Sequence, residues 1–496
     1  MVNFLRTSFL LTGLVVLTSF KVVLAQIDTT QQLVAVEAGG IVSSTADTPF
    51  WLRANQFGAI PLAAPAAILQ ARIRKEYQLF SSNARLNQFK WGFGLHTALN
   101  VGASNRLVLP EAFVSIRYGK IELFGGRRQQ VIGLGDTTMS SGFIIGSGNA
   151  LPIPKIQLGT KGYAYVPFTG RFVAINAGFA HGWYSAPYIN GAYLHQSNLY
   201  IRLGKAASLI KLHAGINHQV LWGGQADYLK DAPSFAVDGR LPSSLRDYVY
   251  VVTGSVPKDW YNRGYTANDS YGIGDHLGSY DVGLEVTTQK SGWMFYHQHP
   301  YEDVSSLIGV NFPDGLWGLR WASLQNQDRS SGFQLRHLTL EHLTTLDQSG
   351  STFYVPNSSY QGQDNYFNHG QYKQGWSYLG RTIGTPFIAP ATDYLPDVQK
   401  IGAIYFPNNR VRVWYVGAQG LLFSQLEWTL RVSYSLNYGR FQQPYDPARK
   451  QFSSLLSVRA PLLRWPNTFL LVRAGLDEGN LYSKSIGAHV SVQKRW

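Results

Sequence analysis

The sequence predicts an all-β fold, a single transmembrane antiparallel β-barrel with long extracellular loops. Three observations predict it: a composition rich in strand formers, an export signal, and long stretches of strict apolar/polar alternation. The 496 residues include 13 Trp, 29 Tyr, 26 Phe and 50 Gly, while Asp, Glu, Lys and Arg together make up only 15%. That is well under the roughly one quarter typical of soluble domains. Branched and aromatic side chains suit a pleated surface better than a helix. With 45% apolar residues the chain is too rich in core formers to be disordered. Cysteine is absent, which excludes disulfides, thiolate metal sites and cysteine nucleophiles.

At the N-terminus Arg6 precedes the uncharged run 7–20, and Val23-Leu24-Ala25 places small or apolar residues just ahead of Gln26. This pattern predicts a secretory signal peptide over 1–25, leaving 26–496 as one barrel domain. The run falls short of the roughly 20 residues a spanning helix needs. Losing Arg6 and Lys21 would lower the formal charge from +14 to +12. No later run reads as a spanning helix, since a stretch such as 54–71 contains Asn55, Gln56, Pro61 and Pro65.

The segment 425–438 alternates without a fault. Leu426, Trp428, Leu430, Val432, Tyr434, Leu436 and Tyr438 share one face, and Glu427, Thr429, Arg431, Ser433, Ser435 and Asn437 the other. Period two over such a length means one long strand. The segment 89–101 repeats the pattern, with Phe89, Trp91, Phe93, Leu95, Leu99 and Val101 against Gly92, Gly94, His96 and Asn100. So do Ile210, Leu212, Ala214 and Ile216 against Lys211, His213 and Asn217, and Val411, Val413 and Tyr415 against Arg410 and Arg412. Strands of soluble sandwiches run about 5 to 6 residues, whereas a tilted strand crossing hydrocarbon needs about 9 to 11. Lipid offers the backbone no hydrogen bonds, so a sheet in a bilayer must close on itself, apolar side chains outward and polar ones toward the lumen. The last segment fits the same design: Ile486, Ala488, Val490, Val492 and the terminal Trp496 share one face. A C-terminal aromatic of this kind resembles the signal read by the barrel-insertion machinery.

Tyr118-Gly119-Lys120 and Gln289-Lys290-Ser291-Gly292 read as hairpin turns between alternating stretches. Two regions, 223–280 and 347–399, are rich in Tyr, Asn, Gly, Asp and Pro and too broken in pattern for continuous strands; they predict long outward loops. The Gly- and Ser-rich stretch 135–154 predicts a loop folded into the barrel or capping one end.

Cofactor and catalytic motifs are absent. Gly272-Ile273-Gly274 lacks the third glycine of a dinucleotide loop, and Gly146-Ser147-Gly148 lacks the spacing of a nucleophile elbow. His297-Gln298-His299 offers two imidazoles without an evident third ligand, so it reads as a polar lumen or rim pair and no metal site is expected. The basic residues are dispersed, and export argues against nucleic acid. On an outer-membrane barrel, rim Arg and Lys attract phosphate and carboxylate groups such as those of lipopolysaccharide and acidic polysaccharides.

The loop aromatics are the candidate binding set: Trp260, Tyr261, Tyr265 and Tyr271 in one loop, and Tyr366, Phe367, Tyr372, Trp376 and Tyr378 in the other, all among Asn, Gln and Asp. A sugar ring has an apolar C–H face and a hydroxyl rim, which aromatic platforms beside amide and carboxylate groups match. Loop self-packing is the competing reading.

A family resemblance runs along the chain. It is carried by Thr48-Pro49-Phe50-Trp51-Leu52-Arg53-Ala54-Asn55-Gln56, Leu109-Pro110-Glu111-Ala112, Gly125-Gly126-Arg127-Arg128 and Ser147-Gly148-Asn149-Ala150-Leu151-Pro152-Ile153-Pro154. Ala180-His181-Gly182-Trp183, Tyr193-Leu194-His195-Gln196 and Asn217-His218-Gln219-Val220-Leu221-Trp222-Gly223-Gly224 continue it. In these motifs the chain resembles the Wzi-type capsule-assembly outer-membrane proteins in the form found in Bacteroidetes. The resemblance implies a barrel of about 18 strands that acts as a non-catalytic surface lectin, holding capsular or exopolysaccharide on the cell. Enterobacterial members carry a periplasmic helical bundle; no amphipathic helix of that kind is read here, and 33–40 reads as the first strand. Glu111, Arg127 and Arg128 are a candidate lumen cluster on charge and placement alone. If Val114, Ile116 and Tyr118 face lipid, Glu111 faces the lumen and needs a basic partner, for which Arg127 or Arg128 is expected. A porin-like channel for small solutes is the alternative function.

Overall fold

The computed structural model describes residues 32–75, 89–325, 332–358, 360–399 and 404–496. The expected signal peptide and its cleavage site lie outside them. Among the described residues eighteen antiparallel strands form one closed barrel. The first eight are β1 Gln32–Ser43, β2 Ala66–Lys75, β3 Phe89–Gly102, β4 Arg106–Tyr118, β5 Ile121–Arg127, β6 Lys155–Thr160 (resumed at Ala164–Tyr165), β7 Val173–Ala186 and β8 Ile189–Leu203. The next five are β9 Ile210–Trp222, β10 Asp275–Thr287, β11 Ser291–Tyr301, β12 Gly315–Ser323 and β13 Phe333–Thr344. The last five are β14 Val411–Leu422, β15 Leu426–Arg440, β16 Gln443–Pro461, β17 Thr468–Gly479 and β18 Ser485–Arg495. Each strand pairs with its sequence neighbours, and β1 pairs with β18 in a register that sets Ile41 opposite His489 and Ala38 opposite Val492. Closure leaves no strand edge unpaired, as a hydrocarbon environment demands.

The predicted alternation places side chains as expected on most strands. Trp91, Leu95, Leu99 and Val101 are exposed on the outer surface, while His96, Ala98 and Asn100 are buried within. On β9, Ile210, Leu212 and Ile216 point out and Lys211, His213 and Asn217 point in. Outward aromatic pairs gather beside the short turns: Phe89 with Tyr118, Trp293 with Trp321 and Phe333 with Trp428, at ring-centroid distances of 4.9, 6.4 and 5.3 Å. They form a girdle at the level where amphipathic rings meet headgroups. The two turns predicted from sequence are present, and Gly119 takes the left-handed φ of 59° that its two-residue turn requires.

The expectation of an outward apolar face fails on β14. Val411, Val413 and Tyr415 are buried inside, and Trp414 and Val416 are the exposed residues. The reason lies within the barrel. Three connections, 44–65, 128–154 and 345–410, fold inward and fill the outer part of the lumen with protein, so that there an inward side chain meets an apolar core instead of water. Tyr415 packs at 5.2 Å from Trp51 and donates its hydroxyl to the Met139 carbonyl at 2.7 Å.

Long connections emerge at one end of the barrel, including 223–274, 302–314 and the inserted segments. Tight turns at 119–120, 288–290 and 423–425, together with the ends of β1 and β18, lie at the other. By the rule that short turns face the periplasm, the long connections form the outer mouth.

Candidate functional site at the outer mouth

Inserted segment 128–154 is held by the strand wall through buried hydrogen bonds. The Leu134 N–H donates to Asp281 at 2.8 Å, Ser141 N–H to Glu341 at 2.6 Å and Ile144 N–H to Gln298 at 3.0 Å. Asp136 accepts from His337 Nε2 at 2.6 Å and Thr339 Oγ1 at 2.5 Å. Burial alone would raise the Asp136 carboxyl, but these two donors more than offset it and hold it below the usual carboxylate range. The stretch 135–154, expected to cap or enter the barrel, enters it.

Segment 345–410 turns through a hairpin of Ser377–Tyr378 with Arg381–Thr382. Gly375 precedes it at a φ of 51°, with no room for a Cβ beside the Phe367 carbonyl. That approach drives Trp376 into the core, where its indole donates to the Ile145 carbonyl at 2.8 Å. Tyr366, Phe367, Tyr372, Trp376 and Tyr378 are therefore buried, forming the core of the inserted segments rather than a platform open to solvent. The other predicted set is placed differently. Tyr261 is 80% exposed and Tyr271 61% exposed, with Trp260 edge-on to Tyr261 at 5.9 Å.

The lumen cluster is wider than the three residues singled out. Glu111 lies 3.7 Å from Arg74 and accepts from the Gln129 N–H at 3.3 Å, while Arg128 bonds Glu122 at 2.5 Å. Arg127 reaches the Tyr378 hydroxyl at 3.1 Å, so the structure joins one member of the predicted basic set to one of the predicted aromatic set. His297 and His299 sit at the outer rim, His297 stacked on Trp317 at 3.7 Å and His299 against Tyr280 at 4.6 Å.

Two cavities open among the outer loops. The larger, about 540 Å³, lies between 223–274, 302–314 and 345–410. Phe235, Tyr271, Tyr301 and Phe353 contribute its aromatic walls, and Asp275, Glu302, Asp303 and Asp364 its carboxyl groups. Amides of Gln361, Gln363, Asn365 and Asn368 complete the polar rim. The walls are tied together. Gln371 donates to the Phe235 carbonyl at 2.8 Å and to Asp269 at 3.0 Å, Tyr372 to the Gly223 carbonyl at 3.1 Å, and the Phe367 N–H to Glu302 at 2.8 Å. Asp364 accepts from Ser349 at 2.7 Å. Burial, then the Asp303 charge, pushes Asp364 up to about 8, and burial lowers His369 to about 4.

The smaller cavity, about 330 Å³, is lined by Arg240, Arg246, Arg263 and Tyr265. It flanks the helix Leu245–Thr253, whose N-terminus is closed by a reciprocal pair of hydrogen bonds between Ser244 and Asp247. Tyr265 donates to Asp247 at 2.6 Å. Of the residues singled out from sequence, Tyr271 lines the first cavity and Tyr265 the second. The carboxyl groups of the first were not anticipated, because they come from separate segments that only the closed barrel brings together; the arginines of the second all lie within 223–274 and were not singled out.

Fold and site define a closed outer-membrane-type β-barrel with a filled lumen and a built outer mouth. Among solved structures it is similar to Wzi, an outer membrane protein involved in group 1 capsule assembly in Escherichia coli and a carbohydrate-binding β-barrel. That match has a TM-score of 0.55 and 14% identity, and covers 92% of this chain and 83% of that one. It also aligns with the outer membrane protein OprD of Pseudomonas aeruginosa at a TM-score of 0.44 and 9% identity, over 94% of each chain. No family model and no curated protein matches the sequence.

Proposed function

We propose that this barrel binds a surface polysaccharide at its outer mouth and retains it on the cell without a catalytic step. The observation that carries the reading is the large cavity at the mouth, where aromatic rings stand among amide and carboxyl groups above a lumen filled by protein. Aromatic faces match the C–H faces of sugars and the polar groups match their hydroxyl rims. Exposed Tyr261 and the arginine-lined cavity extend the same surface, and a polymer touching several weak sites gains avidity without any deep one. The similarity in fold to a carbohydrate-binding barrel supports the reading. Export through the periplasm, with removal of 1–25, belongs to the same proposal.

The test is retention of native polysaccharide on cells carrying a Tyr261→Ala, Tyr271→Ala double substitution. Shedding to the medium with normal barrel assembly is the expected result, and unchanged retention would overturn the reading. One observation favours a second function: eighteen strands enclose enough space for an aqueous channel in porins. Planar-bilayer recording separates the two. Steady ion current supports a channel, and its absence the filled binding barrel.

A further inference from the structure

The charge of the large cavity runs against that of the chain. With 43 Lys and Arg to 29 Asp and Glu the protein carries +14, yet among the described residues lining the cavity there is no Lys or Arg. Its carboxyl groups come from three elements: Asp275 from the outer end of β10, Glu302 and Asp303 from the connection after β11, and Asp364 from the long segment before β14. Asp275 is only 5% exposed, and its Oδ2 has no hydrogen-bond partner among the described residues. A buried carboxyl oxygen left without a donor calls for one from a guest. The aromatic rings lining the cavity favour a cation over a neutral donor, because the faces of Tyr and Phe attract positive charge. Nor do three or more His, Asp or Glu among the described residues converge to hold a metal ion, so the cation that fits is an organic one on an amphipathic body.

We propose that this cavity selects an amino sugar, a glycan unit bearing a free ammonium group, seating the ammonium against Asp275 between the aromatic walls. The inference rests on the glycan-binding reading above and specifies its ligand. It gains support from the loop carboxyls. Burial, then the Asp275 and Asp364 charges, holds Glu302 well above its usual range, and Asp364 is pushed up as described. Asp303, His218, His276 and His369 face the same space, along with the phenols of Tyr271 and Tyr301. Both shifts favour the protonated forms of the loop carboxyls Glu302 and Asp364 when no cation is present. An incoming ammonium stabilises their ionised forms, so binding expels a proton to solvent while the ammonium keeps its own.

The experiment is calorimetry of the full-length detergent-solubilised barrel with glucosamine tetramer and N-acetylglucosamine tetramer, in buffers of different ionisation enthalpy. The glucosamine tetramer is expected to bind about tenfold more tightly or better, with proton release that the acetylated tetramer does not cause. Asp275→Asn is expected to remove that preference. If this variant loses the heat-modifiable mobility of a folded barrel, Asp364→Asn replaces it and is expected to reduce the proton release. Equal or tighter binding of the acetylated tetramer would overturn the amino-sugar proposal while leaving glycan binding intact. A preference that neither substitution moves would overturn the assignment to this cavity. Binding of neither tetramer would also overturn the proposal, whereas the broader reading stands or falls separately on polysaccharide retention.

Discussion

The two long outer connections, 223–274 and 345–410, look alike in composition yet do opposite things. Both are rich in Tyr, Asp, Gly and Pro. The first stays outside, exposes Tyr261 and Tyr271, and carries its own capped helix. The second turns inward and buries Tyr366, Tyr372, Trp376 and Tyr378 against the other inserted segments. An aromatic side chain brings the same apolar area to either setting. What differs is whether the chain path offers a surface to bury it against. Exposed aromatics in the first region and buried ones in the second are separated by topology, with no compositional difference to announce it.

The contrast can be broken most forcefully at the buried loop. Trp376→Ala is expected to cost about 3–5 kcal/mol, the usual range for an aromatic truncated in a packed core. Urea titration of the folded barrel would show it, and a shift below about 0.5 kcal/mol would mean that the segment is not packed as described. Arg53→Ala comes next. It strands Asp393, whose carboxylate Arg53 holds at 2.5 Å with both side chains largely buried, and is expected to cost about 3 kcal/mol. Loss of protease resistance in 345–410 before the strands would confirm that this pair anchors the inserted segment.

Substitution in the exposed loop should have the opposite profile. Tyr271→Ala is expected to leave stability within about 0.5 kcal/mol but to weaken oligosaccharide binding about threefold to tenfold. Equal effects of Tyr271→Ala and Trp376→Ala on both readouts would erase the distinction between the loops. The smallest effect is a pH dependence. Asp364 is raised from the ordinary 3.8 to about 8 by burial and then by Asp303, so the folded state binds more protons than the unfolded one between those values. The contribution of this group to stability is greatest at low pH and declines from about pH 4 to about pH 8. Asp364→Asn should flatten that decline in denaturant midpoints measured across the range.

The strands were legible because a barrel wall imposes period two on the chain itself. Ile210, Leu212 and Ile216 announce their exposure, and Lys211, His213 and Asn217 their burial. Such reading failed at Val411, Val413 and Tyr415, where inserted protein replaces water inside the barrel and apolar residues belong on the inner face. In the site, Tyr271 and Tyr265 could be singled out as aromatics among amides. Asp275, Glu302 and Asp364 could not, since they lie in three segments far apart in the chain. The lumen cluster illustrates the same limit: Glu111 was placed facing inward by alternation, but the proximity of Arg74 on another strand follows from register.

By itself, then, the sequence determined an all-β chain with alternating strands, tight turns at one end and long connections at the other, because these are local consequences of side-chain polarity and backbone preference. Tertiary structure alone decided that 345–410 enters the lumen, which aromatics remain in solvent and which acids share a cavity. Those outcomes depend on contacts between segments hundreds of residues apart, and a closed sheet brings such segments together without leaving any mark on the residues between them.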